Sequence, residues 1–156
     1  PNRGPDPTTE YDAFTDHIIR NLHKSAFNHP IHTVLMNQSY FNGIGNYLRA
    51  EILYRLPHIN PFAEARQVLE TEPDIFVLCR DIPLQAYALG GGQLKDWESP
   101  FSTDPEPLRK FMRCYGNSQM AKKRDKNGRM FWYDPKWDEE ALWDHYSGLP
   151  NPTAYM

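Results

Sequence analysis

Asn37-Gln38-Ser39-Tyr40-Phe41-Asn42-Gly43-Ile44-Gly45-Asn46-Tyr47-Leu48-Arg49-Ala50-Glu51 joins two apolar-periodic segments through a turn rich in glycine and asparagine. Upstream, Val34 and Leu35 close a short amphipathic run that begins after Pro30; downstream, Leu48, Ile52, Leu53 and Leu56 recur at helical spacing. Gly43 and Gly45 permit positive φ and leave no Cβ in the way of a close ligand, while Asn46 stands where an N-cap belongs. Successive backbone N–H groups would then face outward at the positive end of a helix, a geometry that binds an anion without a lysine. The plainer reading of the same residues is an αα-corner whose glycines only make the bend.

Punctuation organises the rest of the chain. Pro5-Asp6-Pro7 reads as extended linker. Thr9-Glu10-Tyr11-Asp12 has the form of a capping box, and Tyr11, Phe14, Ile18, Leu22 and Ala26 mark a helix face that Asn28-His29-Pro30 ends. Residues 31–38 and 47–56 are predicted as the helices flanking the turn, and Asn60-Pro61 as the cap of a fourth helix carrying Phe62, Ala65, Val68 and Leu69. A further helix is predicted from Pro73 through Cys79, with Pro83 breaking or restarting it before Leu89. Gly90-Gly91-Gly92 opens a proline-interrupted loop that reaches Pro107. After a short helix ending near Gly116, residues 122–133 alternate basic and aromatic side chains about Asn127-Gly128, a strong hairpin signal.

A chain of 156 residues suits one domain, or one domain with an appendage. It has no long apolar run to predict a membrane span, and its start shows no signal-peptide pattern. Two cysteines, Cys79 and Cys114, stand far apart without partners at metal-ligand spacing, which suits a reducing intracellular compartment. Among the six histidines only His29 and His32 show even a suggestive spacing, and a surface or helix-end role is the expectation for all. The net charge of −3 argues against a generic nucleic-acid binder, but its distribution does not. Between Pro107 and Met130, Arg109, Lys110, Arg113, Lys122, Lys123, Arg124, Lys126 and Arg129 face Asp125 alone, a local +7 that leaves −10 for the remainder. Such a patch would steer DNA to one face; the plainer alternative is a soluble surface decorated with lysines.

Residues 38–55 resemble the helix–two-turn–helix signature of the formamidopyrimidine/endonuclease VIII family of DNA glycosylases, with its animal endonuclease VIII-like branch nearest. The resemblance extends through Arg3-Gly4-Pro5, Tyr11, Arg20-Asn21-Leu22, Ala26-Phe27, Pro61-Phe62, Leu89-Gly90-Gly91 and Arg113-Cys114-Tyr115-Gly116 to Gly128-Arg129, most of the chain. It implies a mainly α fold: a linker at 1–10, a helix–two-turn–helix domain at 11–106, a β-hairpin finger at 107–137 and an acidic-aromatic tail at 138–156. In the family an N-terminal β-sandwich supplies a terminal proline nucleophile, an adjacent glutamate and a distant lysine. The sequence here opens Pro1-Asn2-Arg3-Gly4-Pro5 without that glutamate, so Pro1 is expected to be a fragment boundary, the sandwich to be a missing partner, and no catalytic residue is assigned in this chain. Most relatives hold the finger with four cysteines around zinc. Only Cys114 lies nearby here, so the resemblance is to the zincless branch, with Phe131, Trp132 and Tyr133 replacing the metal and neither zinc nor any cofactor expected.

Carried over residue by residue, the resemblance makes Arg129 the finger arginine that holds a DNA phosphate, a task suited to its bidentate fork. Lys95 is the nearest match to a residue that senses the flipped lesion. The candidate DNA-binding set is therefore Gly43, Gly45, Asn46, Lys95, Lys126 and Arg129. By resemblance the parent enzyme removes oxidised bases, cleaves the abasic strand by Schiff-base chemistry and resides in the nucleus, with damaged DNA as partner. The competing class is a stand-alone non-catalytic nucleic-acid module such as the ribosomal proteins that share a helix–two-turn–helix; the basic hairpin with Arg129 discriminates against it. A protein-interaction domain using the tail, from Trp137 through Trp143 and Tyr146 to Tyr155, has only composition in its favour.

Overall fold

The structure, a computed structural model, describes residues 2–90 and 105–138; the expectations placed on Pro1, on Lys95 and on the tail beyond Asp138 lie outside them. Helix α1 (Tyr11–Asn21) forms because Phe14 and Ile18 recur at helical spacing and bury completely, with Asp12 in its first turn and Arg20 in its last complementing the dipole. The capping box read in Thr9-Glu10-Tyr11-Asp12 does not form. Glu10 is the N-cap residue without a side-chain cap. Its carboxylate accepts the Asp6 N–H at 3.1 Å, and the Asp6 carboxylate accepts the Thr8 N–H and hydroxyl at 2.8 and 2.7 Å. The Asp6-Pro7-Thr8 turn thus takes the polar groups that would have capped the helix. The helix also stops short of Asn28. Asn21 donates its amide to the His17 carbonyl at 2.7 Å, and the Arg66 guanidinium donates to the Leu22 and Lys24 carbonyls at 2.8 and 2.9 Å, so a 3-10 turn (Ser25–Asn28) follows instead.

Helix α2 (Ile31–Val34) is a single turn, shorter than the 31–38 expected. The chain leaves it through two consecutive turns. The Asn37 carbonyl accepts the Tyr40 and Phe41 N–H groups at 3.0 and 2.8 Å, and the Phe41 carbonyl accepts the Ile44 N–H at 3.1 Å. Helix α3 (Asn46–Tyr54) follows, so the helix–two-turn–helix organisation is present, with Leu35, Phe41, Ile44, Leu48 and Ile52 buried beneath it. Helix α4 (Ala65–Thr71) starts later than Asn60-Pro61 because Asn60 Oδ1 accepts the Phe62 N–H at 2.9 Å in a turn of its own. The next residues then pair back with the entry to α2, where Ile31 N–H donates to the Ala63 carbonyl at 2.8 Å.

Helix α5 (Asp74–Ala88) runs unbroken through Pro83, against expectation. Ile75, Phe76, Cys79, Ile82 and Ala86 are buried along a helix packed on α3. Burial worth roughly 1.5–3 kcal/mol for each large apolar side chain outweighs the ~3 kcal/mol of an interior proline. Gly90, at φ 89°, ends the helix. Helix α6 (Glu106–Phe111) leads to an antiparallel hairpin of β1 (Ala121–Arg124) and β2 (Met130–Tyr133), paired Ala121 to Tyr133 and Arg124 to Met130. Phe131 and Tyr133 alternate inward and join the helical core, while most of β1 is exposed. The turn falls on Asn127-Gly128 as the sequence predicts: Gly128 N–H donates to the Asp125 carbonyl at 3.0 Å, Asp125 N–H to the Arg129 carbonyl at 2.8 Å, and Gly128 takes φ 83° as the bulge residue of a three-residue loop. No helix among the described residues is long and apolar enough to cross a membrane.

Candidate nucleic-acid interface

Gly43 lies at φ 90°, where a Cβ costs roughly 1–2 kcal/mol. Gln38 staples the turn around it, Oε1 accepting the Gly43 N–H and Nε2 donating to the Ile44 carbonyl, both at 2.8 Å. Gly45 has a different role from the one expected. At φ −107° and ψ −170° it is extended rather than left-handed, it is the N-cap of α3, and the space where its Cβ would stand is open. The N-cap of α3, being glycine, supplies no side-chain cap. The first-turn N–H groups of α3, which have no acceptor within the helix, stand at the positive end of the dipole beside that open space.

Asn46 does not cap the helix. It is the first helical residue, and its side chain links two elements: Nδ2 donates to the Met130 carbonyl at 2.9 Å, while Oδ1 accepts from Arg49 Nε and Nη2 at 3.0 and 2.7 Å. Arg49 is wholly buried. It donates further to the His32 carbonyl at 3.0 Å and to Asp125 Oδ2 at 2.8 Å, and lies over the Phe131 ring at 5.0 Å. Burial pulls the Arg49 guanidinium below its ordinary value, with Asp125 opposing. Burial pushes the Asp125 carboxyl up, but the Arg129 and Asn127 N–H groups and the Arg49 guanidinium outweigh it and hold the group below its ordinary range. Asp125 Oδ1 accepts those two N–H groups at 2.9 Å each. The one acid of the basic segment is therefore spent inside the molecule, and the exposed fingertip presents Arg129 and Lys126. Lys126 and Asn127 border a groove against Thr33, Met36 and Asn37.

Glu51, the other wholly buried charge of α3, holds the approach to the hairpin. Oε1 accepts the Arg113 N–H at 2.8 Å and Oε2 the Cys114 and Tyr115 N–H groups at 3.0 and 2.6 Å. Arg55 pairs with it at 2.6 Å and donates to the Phe111 carbonyl at 2.7 Å. Aromatic packing completes the attachment. Phe131 stacks on His32 (4.6 Å, 9°) and Tyr133 (5.4 Å, 19°), with Phe62 edge-on to both, whereas Trp132 meets Lys122 and Tyr115. Cys114 is buried, its thiol pushed up to about 12 by burial and then by Glu51; burial alone raises Cys79 further. A thiol held this high is a poor nucleophile.

The N-terminal segment closes the other side of the turn. Gly4 N–H donates to the Gln38 carbonyl at 3.0 Å, Asn42 Nδ2 donates to the Gly4 carbonyl at 2.8 Å, and Arg3 reaches Asn42 Oδ1 at 3.1 Å. A Cβ on Gly4 would fall 2.2 Å from the Ser39 carbonyl oxygen, so only glycine passes there. The structure thus joins Asn46, the residue after Gly45, to the strand that follows Arg129, with Lys126 in the same hairpin loop, whereas Gly43 is shown against no part of the hairpin. Residues that the sequence reading passed over make these connections: Gln38 within the turn, and Arg49, Glu51 and Asp125 between α3 and the hairpin with its approach. A charge at two positions of an otherwise core-facing helix was the available signal for Arg49 and Glu51.

No family model matches the chain. It is 39% identical over 155 residues to human Endonuclease 8-like 1, a match covering 85% of this chain and 39% of the relative, and equally identical to the mouse protein over 156 residues. It is 34% identical over 94 residues to the formamidopyrimidine-DNA glycosylase of Thermus thermophilus, 60% of this chain and 34% of that protein. The chain therefore spans about two fifths of the length of the curated relatives it matches. Among solved structures, the MutM (Fpg) protein of Thermus thermophilus superposes with a TM-score of 0.66 at 26% identity, over 87% of this chain and 53% of that one. The Lactococcus lactis Fpg in a complex with abasic-site DNA gives 0.67 at 24% identity, over 87% and 51%, and shares the fold. Sequence relatives and architecture agree that the chain belongs to the formamidopyrimidine/endonuclease VIII family, as the helical domain and hairpin of that fold.

Proposed function

We propose that this chain is the DNA-gripping part of a base-excision-repair glycosylase and abasic-site lyase acting on oxidised bases. The observation that carries the reading is the junction made by Asn46 and Met130, which joins groups 84 residues apart and sets the positive end of α3 beside the basic fingertip. In this reading the α3 N-terminus and Arg129 hold backbone phosphates on either side of an extruded nucleotide, and Lys126 adds a further phosphate contact. Lys95 is assigned to the lesion-sensing loop. The hairpin is a zincless finger fixed by Phe131, Tyr133 and Phe62. Chemistry at the sugar, attack by an amine to give a Schiff base followed by elimination, belongs to a catalytic sandwich outside this sequence. The names of the human, mouse and Thermus relatives support this reading over a stand-alone nucleic-acid module, and the likeness to the two animal proteins is the ground on which we place the protein in the nucleus.

Two measurements test it. In the full-length protein, Arg129→Ala should weaken binding to an abasic-site duplex roughly tenfold, about 1.4 kcal/mol, and slow turnover without lowering the unfolding temperature. Asn46→Ala should act in the same direction; unchanged affinity and turnover in both variants would remove the proposal. Borohydride trapping on abasic DNA should yield a covalent adduct only when the catalytic sandwich is present, and an adduct with residues 1–156 alone would move the chemistry into this chain.

A further inference from the structure

Arg49 and Asp125 form an ion pair 2.8 Å long whose side chains are 0% and 4% exposed, so neither can reach a nucleic acid. Each nevertheless ends on a group assigned to phosphate. On one side, two nitrogens of Arg49 fix Asn46 Oδ1, which sets the plane of the amide at the first residue of α3. On the other, Asp125 Oδ1 accepts the Arg129 N–H and fixes the backbone from which the fingertip arginine projects. The amide of Asn46 then donates to the Met130 carbonyl and closes a ring of hydrogen bonds through helix, loop and strand. Other bonds of the fingertip loop, from Arg124 Nη1 to the Gly128 carbonyl and between the turn's own backbone groups, are internal to the hairpin and do not tie it to α3.

We propose that Arg49 and Asp125 are positioning residues for DNA engagement, holding the N-terminus of α3 and the Arg129 fingertip at one fixed separation. The inference rests on the reading of Arg129 and the α3 N-terminus as phosphate contacts. It makes a prediction opposite in sign to simple electrostatics. Removing the negative charge of Asp125 from a DNA-binding face should tighten binding through the added net charge; loss of positioning should weaken it. Asp125→Asn keeps an oxygen for the Arg129 and Asn127 N–H groups, so the turn survives, but it sets an amide N–H against the Arg49 donors. Asp125→Ser also retains an acceptor for the turn, with a side chain too short to reach Arg49, and serves where the asparagine variant does not fold.

The test is fluorescence anisotropy of the full-length protein on a duplex containing a tetrahydrofuran abasic analogue, over a series of salt concentrations. Three variants are compared with the parent: Asp125→Asn, Arg129→Ala and the double substitution. The expected result is that Asp125→Asn weakens binding about as much as Arg129→Ala, lowers the salt slope by about 0.9 for one lost phosphate contact, and adds nothing in the double variant. A merely structural role would change the melting temperature while leaving the salt slope intact and the two losses additive, and that pattern overturns the inference. So does binding that is unchanged or tighter in Asp125→Asn while Arg129→Ala still weakens it, a result that spares the proposed function. Should Arg129→Ala itself change nothing, the proposed function falls and the positioning role falls with it.

Discussion

His32 is buried against the Phe131 ring, and its Nδ1 has no hydrogen-bond partner among the described residues. Burial, and next the Arg49 guanidinium, lower its pKa from 6.5 to about 4. The unfolded imidazole therefore binds a proton between those values and the folded one does not. Stability is whole above pH 6.5, falls as the pH drops to about 4 and is level below, by up to ~3 kcal/mol. Asp125, held low, adds a loss in the same direction at still lower pH, below 3.8. Urea unfolding should show about 2 kcal/mol less stability at pH 5 than at pH 7, a difference that shrinks in His32→Gln; an equal loss in that variant would rule out His32 as its source. Single residues also show the limit of sequence reading. The chemistry of Gly43 was legible because positive φ belongs to the residue itself. The bond from Asn46 to the Met130 carbonyl was not, because that partner comes from a strand that its local sequence does not mention.

At the scale of elements, the buried carboxylate of Glu51 does for the hairpin approach what a metal does in a compact finger: it gathers several donors at one point. Glu51→Ala would leave the Arg113, Cys114 and Tyr115 N–H groups without their acceptor and the Arg55 guanidinium without its carboxylate, at a cost of about 3–5 kcal/mol. The check is denaturant unfolding together with amide exchange of those three groups; full protection and an unshifted midpoint would deny Glu51 this role. Helix positions and the hairpin were readable from periodicity and from Asn127-Gly128, yet the ends of α1, α2 and α4 were not. Those ends are set by Arg66, Asn37 and Asn60, whose polar side chains capture turns in competition with the apolar pattern. Pro83 misled for the converse reason, since the burial of its neighbours on α3 overrides a local preference.

Over the whole molecule, charge asymmetry was visible in composition, an acidic body with one basic segment, but its use was not. Asp125, counted there as a small subtraction from the positive patch, proves to be an internal tie. The ties also have a temporal side. Arg49 meets Asp125 across 76 positions and Glu51 meets Cys114 across 63. A chain synthesised at about 5–20 residues per second has α3 in hand for roughly 4–15 s before Asp125 is made. Throughout that interval Arg49 lacks its carboxylate, and for most of it Glu51, although paired with Arg55, lacks the N–H groups of residues 113–115. A chain halted at residue 112 should therefore unfold at a markedly lower urea concentration than residues 1–156, and an identical midpoint would contradict this. A hairpin made late completes the nascent core, so that an unfinished product is marked by its own incomplete packing.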